Sequence, residues 1–279
     1  MEPGYSYETV WLYVKCGCDG LDRMAPILKS KEEIEKLRNA NLIVAEVLEA
    51  IGELVCPGVT TWDLEEKARY ILEKRGAKSA FLGYTPSPEV PPFPAVLCTS
   101  VNEEIVHGIP SREMALKDGD ILSVDFGAFK DGYCGDSART FPVGNVSREA
   151  SDLIKTTEEA LERGIEAVVC GNRLQDIGYA VQRHVEEKGF SVVRYFVGHG
   201  IGSSMHEDPQ VPNYGRPGRG MRLRKGLVIA IEPMVNVGTH EVEVLNDGWT
   251  AVTRDRMLSA HFEHSVALTE DGPYVLSRL

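Results

Sequence analysis

The chain has 279 residues, of which 43% are hydrophobic and 26% are charged, and its formal net charge is −12. This composition can bury the core of one large domain or of two closely joined halves, and it excludes disorder as the main state. The acidic balance and an expected lack of clustered Lys and Arg argue against a nucleic-acid partner.

No targeting or membrane-spanning segment is predicted. The first residues show neither a basic segment followed by an apolar run nor the composition of a transit peptide. The most apolar stretch, residues 226–237, is too short to cross a bilayer and contains Glu232, so we interpret it as a buried strand and expect no membrane partner. Six cysteines without framework spacing favour a reducing compartment, and a cytoplasmic protein is expected.

The chain begins with an extension, residues 1–23, whose pattern fits a disordered tail and a packed arm equally well. The first helix pair follows it. Ser30 starts a capping box with Glu33, and hydrophobic residues then recur at helical spacing. A second helix is predicted over about 63–75 and ends at Gly76, because glycine most readily adopts the left-handed conformation there.

The same pattern returns in the second half of the chain. Ser147 caps a long helix, and another helix is predicted over about 175–188. An offset of 113 residues aligns the glycines that end corresponding helices in the two halves. We therefore expect one domain, residues 24–279, made of two duplicated halves, about 30–142 and 143–279.

The segments after each helix pair are rich in glycine and in residues that favour strands. Their connections are too short for crossover helices, so they are predicted to pair as antiparallel strands. Helices would cover one face of this sheet, and the other face would be free to curve around a site. The predicted fold class is α/β, of the α+β kind.

Two acids flank a turn in the stretch VDFGAFKDGYCGD, residues 124–136. Alternation places Asp125 on one face of a hydrophobic strand. After a turn at residues 130–132, Asp136 is expected at the paired hairpin position, where facing side chains are about 5 Å apart. Taken alone, the pair fits two solvated turn residues as well as two acids that face each other.

Further segments carry residue types that bind metals. Glu232 in VIAIEPM and Glu263 in HFEHSV have apolar neighbours, and His199 and His206 lie in the glycine-rich GHGIGSSMHEDP. If the four carboxylates and one histidine converge, their repulsion requires cations, and four carboxylates formally balance two divalent ions. The pattern predicts a dinuclear centre with mostly oxygen ligands, which suits Mn, Fe or Co at least as well as Zn.

These segments, in this order and at these separations, closely resemble the type I methionine aminopeptidases, which have the pita-bread fold. The resemblance covers about residues 24–279 and rests on VDFGAFKDGYCGD, GHGIGSSMHEDP, IEP and FEHSVALTEDG. It implies two pseudo-symmetric halves whose curved antiparallel sheet is covered by helix pairs. It also implies five metal ligands: Asp125, Asp136, His199, Glu232 and Glu263.

The resemblance further implies that two metal ions activate a water molecule and the scissile carbonyl. Asp136 and Glu263 would bridge the metals, and Glu232 would also transfer the proton. His206 would stabilise the developing oxyanion, and His107 would contact the substrate backbone and assist the leaving amine. Such an enzyme removes the N-terminal methionine of nascent polypeptides, near the ribosome, when the second residue is small.

A methionine pocket is implied by the resemblance at Phe81, Tyr84, Cys98, Met205 and Trp249. The family commonly has Tyr in place of Phe81 and Phe in place of Met205, so a pocket of different shape is expected. Without the resemblance, Tyr84, Cys98 and Trp249 also fit ordinary core packing. In relatives a monovalent cation is held by the backbone carbonyls that match Asn102, Glu104 and Ser259.

Other features have plainer interpretations. His261 is expected to be solvated or packed near a loop, and His264 is expected to be either a partner of Glu263 or a core residue. The Pro-rich insert, residues 85–95, is interpreted as a stiff surface loop.

Two alternatives share the predicted fold. An Xaa-Pro peptidase would use the same five ligands, but such enzymes usually carry a large N-terminal domain that about 23 extra residues do not supply. A non-catalytic pita-bread binding protein typically loses ligands, whereas all five are present in this chain. The protein is expected to act as a monomer.

Overall fold

Helices form where capping residues and hydrophobic spacing predict them. The structure is a computed structural model that describes residues 25–279, so the predicted extension, residues 1–23, lies outside the described residues. Within the described range the helices are α1 Lys31–Gly52, α2 Thr61–Lys74, α3 Arg148–Glu166 and α4 Leu174–Glu187.

The predicted capping box of α1 is confirmed. Glu33 N donates to Ser30 Oγ at 3.3 Å, and Ser30 N donates to the Glu33 carboxylate at 2.7 Å. Ser147 likewise caps α3 by accepting from the backbone N–H of Ala150. Gly76 and Gly189 follow α2 and α4 with φ values of 57° and 85°, where a side chain would be strained.

The strands lie in the segments after the helix pairs. In the described residues they are β1 Lys78–Ser79, β2 Cys98–Val101, β3 Glu104–Val106, β4 Ile121–Lys130, β5 Tyr133–Pro142, β6 Ser191–Val192, β7 Gly198–Gly200, β8 Glu207–Val211, β9 Val228–Ile231, β10 Met234–Asn236, β11 Val242–Val244, β12 Ala251–Thr253, β13 Ser259–His261, β14 Glu263–Thr269 and β15 Gly272–Val275. Every pairing between them is antiparallel, as predicted.

One curved sheet of nine strands forms the centre of the described fold. Its main path runs β1-β4-β5-β14-β9-β7-β8, with β2 paired to β4 and β15 paired to β14. The hairpin between β4 and β5 turns at Asp131 and Gly132, whose φ values are 50° and 81°. Two consecutive left-handed residues match the twist of a two-residue hairpin, and the predicted turn is confirmed.

The two helix pairs repeat with a constant offset. Helices α2 and α4 begin at residues 61 and 174 and end at 74 and 187, so both ends differ by 113. Gly58 and Gly171, which differ by the same amount, have φ values of 94° and 95°. The repeat supports duplication, while the domain limits and the two halves themselves stay a prediction.

The helices cover one face of the sheet. Helix α1 packs on β4 and β5, and α3 contacts β5, β9 and β14 of the same sheet as well as β10 and β13. The α1 backbone comes so close to β5 that a Cβ on Gly135 would lie 2.6 Å from Asn41 N. At this crossing, Asp136 N donates to Asn41 Oδ1 at 3.3 Å. The absence of a side chain at Gly135 therefore allows Asn41 of α1 to hydrogen-bond the backbone of Asp136, a predicted metal ligand.

The loop between β8 and β9 corrects the expectation that the chain lacks clustered Lys and Arg. Residues 216–225 contain four arginines and one lysine and no acid, and these basic residues are exposed. Clustered basic residues are thus present. The expectation that nucleic acid is not a partner rests on net charge alone and stays a prediction.

Two further findings concern membrane-spanning helices and the state of the cysteines. Among residues 25–279, no helix combines the length and the apolar character needed to cross a membrane. The cysteines in this range, Cys56, Cys98, Cys134 and Cys170, are free thiols.

Candidate metal centre

Neighbouring strands each place one predicted ligand at the same site. In the sheet order β4, β5, β14, β9 and β7, the corresponding ligands are Asp125, Asp136, Glu263, Glu232 and His199. Glu232 directly follows the last residue of β9. Strand pairing therefore brings together residues that are up to 138 positions apart in the chain, as counted from Asp125 to Glu263.

The register corrects the predicted pairing of the two aspartates. Asp125 pairs with Ala138, and Asp136 pairs with Gly127, so the acids are diagonal neighbours rather than directly opposite. Each acid lies two residues along its strand from the residue that pairs with the other acid, and an even separation keeps both acids on one face of the sheet. Glu263 also pairs with Ala138, from the other side.

Glu232 occupies a break in a strand. The predicted strand over residues 226–237 is found as β9 and β10, which are separated by Glu232 and Pro233. Proline has no backbone N–H and is tolerated where a ladder is interrupted. Asn213 Nδ2 donates to the Glu232 backbone carbonyl at 2.9 Å. The break is thus held by a side chain in place of a ladder hydrogen bond.

His199 is oriented for ligation by its own backbone neighbour. Its Nδ1 lies 2.9 Å from the Gly200 carbonyl oxygen, which accepts only if Nδ1 carries the proton. The unprotonated Nε2 then points to the acids, 3.6 Å from Glu232 Oε1 and 4.0 Å from Asp136 Oδ2. One ligand atom each from Asp136, His199 and Glu263 lie within 4.8 Å of one another.

Burial makes the negative charges of this cluster costly. It raises the pKa of Asp125 to about 7. For Asp136, burial and then the charges of Asp125 and Glu232 hold the pKa well above its usual value. The pKa values of Glu232 and Glu263 are raised well above the usual range by burial first and by neighbouring carboxylates second. A cation would relieve all of these shifts.

The residues fit such a cation. Asp125 Oδ1, Asp136 Oδ1 and Glu263 Oε1 are buried and have no hydrogen-bond partner within the described residues. Buried carboxylate oxygens are normally hydrogen-bonded or ligate a metal. The described residues that line the surrounding cavity include no Lys or Arg to balance the charge. The donor set is therefore that of a hard or borderline divalent cation.

All twelve predicted site residues line one cavity of about 630 Å³. They are Phe81, Tyr84, Cys98, His107, Asp125, Asp136, His199, Met205, His206, Glu232, Trp249 and Glu263. The cavity is large enough for a peptide end, and its lining combines the carboxylates and histidines with aromatic residues.

His206 projects into the cavity beside His199, with ring centroids 4.4 Å apart. Burial lowers the pKa of His206 to about 3, so the imidazole is neutral at neutral pH. The Tyr84 hydroxyl lies 3.0 Å from His206 Nδ1. When Tyr84 donates this hydrogen bond, Nε2 carries the ring proton, and His206 is a neutral donor toward the cavity.

His107 is held in a strained backbone conformation, with φ of 63°. Its ring meets the edges of Phe196 and Trp249, at centroid distances of 5.4 and 6.1 Å. Burial lowers its pKa to about 4, and Nδ1 is buried without a hydrogen-bond partner in the described part of the chain. Such strain persists where the surroundings require it, which is common at functional sites.

Aromatic residues form the predicted pocket, and the Pro-rich insert contributes to it. Phe93 packs edge-on against Trp249 at 5.1 Å and against Phe81 at 6.4 Å. Phe93 is only 2% exposed, so interpreting residues 85–95 as a surface loop was incomplete. Burial, and then the charge of Asp125, raise the pKa of the Cys98 thiol, which keeps this wall neutral.

His261 is a site residue that the sequence interpretation missed. It is 2% exposed, lines the cavity, and places Nε2 3.8 Å from Glu232 Oε2. Period-two alternation backwards from Glu263 places His261 on the same face and could have found it. By contrast, His264 Nδ1 lies 2.8 Å from Ser277 Oγ, which favours the core-packing alternative for that residue.

The predicted monovalent cation stays a prediction. Ser259 N donates to the Asn102 carbonyl oxygen at 2.9 Å, so two of the three matching backbone positions are adjacent. Asn102 has φ of 56°, which turns the chain between β2 and β3.

Comparison with known proteins gives consistent results. Residues 35–270 match the model of metallopeptidase family M24. A methionine aminopeptidase of Clostridium acetobutylicum is 51% identical over 251 residues, which cover 90% of this chain and 98% of that protein.

Solved structures agree with this likeness. The crystal structure of methionine aminopeptidase from Thermotoga maritima has a TM-score of 0.88 and 44% identity, covering 91% of this chain and 100% of that one. A prolidase from Pyrococcus furiosus, at 24% identity and a TM-score of 0.73, shares the fold alone and is covered over 66% of its length. High identity over nearly the full length of both proteins, on a shared pita-bread fold, places this chain in metallopeptidase family M24, among the type I methionine aminopeptidases.

Proposed function

We propose that this protein is a metal-dependent aminopeptidase that removes the N-terminal methionine from nascent proteins and peptides whose second residue is small. One observation carries the proposal: the buried Asp136 and Glu263, the partly buried Asp125 and Glu232, and His199 converge at a cavity whose described lining includes no Lys or Arg. Relatives at 47–51% identity bear the name methionine aminopeptidase, which supports the same reaction.

We propose Asp125, Asp136, His199, Glu232 and Glu263 as the metal ligands. Four carboxylates formally balance two divalent ions, so two ions of the Mn, Fe, Co or Zn class are proposed. When bound, these ions would supply Lewis-acid activation of the scissile carbonyl and of a water molecule.

The side chains around the ligands have complementary tasks. Glu232 lines the cavity and is proposed to accept a proton and pass it on. His206, with Nε2–H directed by Tyr84, is proposed to donate to the developing oxyanion. His107, between Phe196 and Trp249, is proposed to contact the substrate backbone near the leaving amine.

The pocket walls suit a methionine side chain. Phe81, Phe93, Cys98, Met205 and Trp249 belong to one buried hydrophobic cluster beside the ligands. A thioether packs favourably on aromatic edges and on polarisable sulfur. We therefore propose this cluster as the site of the first side chain, with a monovalent cation near Asn102 as a further proposed component.

The setting of the reaction is also a proposal. The four cysteines among residues 25–279 are free thiols, which is typical of a reducing compartment and supports a cytoplasmic location. By resemblance to the family, we propose a monomer that acts on nascent chains near the ribosome. An Xaa-Pro peptidase is not favoured, because the prolidase resembles this chain at only 24% identity, against 44% for the aminopeptidase structure.

Peptide cleavage after chelation tests the proposed function. The protein is treated with EDTA and assayed on Met-Gly-initiated and Xaa-Pro-initiated peptides, before and after Mn²⁺ or Co²⁺ is added back. We expect chelation to abolish Met release and added metal to restore it. Restored cleavage of Xaa-Pro peptides alone, or no cleavage with any metal, would contradict the proposal.

Ligand variants connect this activity to the cavity. Asp136→Ala or Glu263→Ala is expected to abolish turnover, because each removes a proposed ligand and leaves the remaining charge unbalanced. The matched control is Glu270→Ala, a change at an exposed acid near the end of β14 that pairs with Lys225 on the surface. A ligand variant that keeps both ions and most activity would show that the assignment is wrong.

A further inference from the structure

His261 is a buried histidine that none of the proposed catalytic steps uses. It ends β13, and its ring lines the cavity that holds the proposed ligands. Nε2 is buried and has no hydrogen-bond partner among residues 25–279. An unpaired ring nitrogen in a buried position is unfavourable unless something in the working site uses it.

The backbone of His261 is fixed by two neighbouring strands. His261 N donates to Thr140 Oγ1 at 2.9 Å, and Thr140 Oγ1 donates to the His261 carbonyl at 2.8 Å. Because the only hydroxyl proton of Thr140 is used there, Ser123 Oγ, at 2.8 Å, must donate to Thr140. This buried chain of hydroxyls connects β4 and β5 to β13 and sets where the imidazole stands.

Glu232 lies between two imidazoles. Its Oε1 is 3.6 Å from His199 Nε2, and its Oε2 is 3.8 Å from His261 Nε2. His199 cannot donate to Glu232, because its proton is on Nδ1 and is used by the Gly200 carbonyl. Pro233, the next residue, has no N–H to offer. Within the described residues, His261 is therefore the ring donor placed to reach the Glu232 carboxylate.

We propose that His261 is a positioning residue for Glu232, in which the Nε2–H donates to Oε2 when the site is loaded. The 3.8 Å separation would close to about 2.8–3.0 Å, the length of an N–H···O hydrogen bond, through small side-chain rotations. Oε1 is then left to face the cation and His199. The inference rests on the proposed function, in which Glu232 is both a ligand and the group that accepts a proton.

A fixed carboxylate plane matters for both of these tasks. Groups that orient a ligand through a hydrogen bond typically change metal affinity or activity 10–100-fold when they are removed. The effect should appear in kcat and in metal affinity rather than in KM, since His261 orients Glu232 and does not hold the peptide.

Two variants of His261 separate this role from packing. His261→Gln keeps an N–H donor, whereas His261→Leu keeps much of the volume without a donor. Met234→Leu, a volume-conserving change at the residue paired with His261, controls for disturbance of β10 and β13. Melting curves of the metal-free proteins show which variants are folded.

We expect His261→Leu to lower kcat on Met-Gly-initiated peptides about 10–100-fold, with KM within twofold of the wild type. Calorimetry on the metal-free protein should show Mn²⁺ binding about tenfold weaker with an unchanged number of ions. His261→Gln should stay within about fivefold of the wild type in both measurements, and Met234→Leu should match it.

Three results would overturn the inference. The first is an unchanged kcat and Mn²⁺ affinity in His261→Leu. The second is a raised KM with unchanged kcat, which would make His261 a substrate contact. The third is that both His261 variants bind one ion fewer than the wild type. If their Co²⁺-loaded forms also show the same change in the visible spectrum, His261 is a metal ligand. A wild-type protein without Met release refutes the proposed function instead, and Mn²⁺ affinity still decides the role of His261.

Discussion

At the scale of single residues, the hydrogen-bond partner of Nδ1 decides which ring nitrogen carries the proton in His199 and in His206. The Gly200 carbonyl holds the proton of His199 on Nδ1, which leaves Nε2 as a lone-pair donor for a metal. The Tyr84 hydroxyl lies 3.0 Å from Nδ1 of His206, and when it donates to this nitrogen, Nε2–H is the proton donor toward the cavity. Two neighbouring neutral imidazoles thus have opposite chemical characters because their partners differ.

Met205 is expected to decide how strictly the pocket selects its first side chain. It is 7% exposed and packs in the cluster with Phe81 and Trp249. Met is unbranched and adaptable, whereas Phe has a fixed shape, so Met205→Phe should narrow selection. We expect the wild type to accept norleucine- and ethionine-initiated peptides better, relative to Met, than the variant does.

The measurement is kcat/KM for the three peptides in both proteins. One methylene in an apolar pocket is worth about 1–3 kcal/mol, so a modest change of wall is visible in the ratios. Leu82→Phe, at an exposed residue next to Phe81, is the matched control. Identical ratios in the wild type and Met205→Phe would mean that Met205 does not shape the pocket.

At the scale of elements, the turn between β7 and β8 is held by a buried ion pair. Lys29, just before α1, places Nζ 2.5 Å from Glu207 Oε2, and the two side chains are 3% and 10% exposed. Ser204 N also donates to Glu207, at 3.2 Å. The turn carries Met205 and His206, so a contact from the start of α1 positions both a pocket residue and a proposed catalytic residue.

Removal of one partner should unfold the protein more easily. Lys29→Met leaves the charge of Glu207 largely buried without an opposite charge beside it, which typically costs about 3–5 kcal/mol. We expect a loss of this size in the free energy of unfolding measured with urea, together with a lower kcat/KM. The double variant Lys29→Met, Glu207→Leu should recover much of the stability, because no buried charge remains.

The exposed pair of Arg256 and Glu243 provides the comparison. Their atoms are 2.9 Å apart, but the side chains are 46% and 50% exposed, so Arg256→Met should cost at most about 1 kcal/mol. Equal losses for Lys29→Met and Arg256→Met would show that burial does not govern the Lys29 pair.

At the scale of the whole molecule, the curved sheet concentrates negative charge that the metal-free protein tolerates poorly. The raised pKa values of Asp125, Asp136, Glu232 and Glu263 mean that the folded protein holds protons which the unfolded chain has released. The free energy of unfolding therefore falls as pH rises through these values. Buried histidines with lowered pKa act in the opposite sense, and their contribution is nearly complete above pH 7.

We expect the metal-free protein to lose stability between pH 7 and pH 8, by about 1.4 kcal/mol per pH unit for each proton that the cluster still holds. Saturating Mn²⁺ should remove most of this slope, because the bound cation keeps the carboxylates ionised at both pH values. Urea unfolding with EDTA and with Mn²⁺ at the two pH values measures the effect. A slope that is equal with and without metal would contradict this account of the cluster.

Much of this molecule could be predicted from the sequence, wherever the cause is local. The capping box at Ser30 and the turn after Lys130 depend on neighbouring residues, and both are found where they were expected. The order and spacing of the motifs also identified the family and brought Asp125 and the other proposed ligands to attention. Residue type alone limits which chemistry a set of carboxylates and imidazoles can perform.

Only the tertiary structure decided features that depend on strand pairing over long separations. The diagonal register of Asp125 and Asp136 follows from the whole β4–β5 hairpin, and the approach of His261 to Glu232 requires β13 to pair with β10. Phe93 became a wall of the pocket because its loop folds onto Trp249. In each case the deciding contact joins residues that are distant along the chain, and a local pattern carries no signal of register or of packing between such residues.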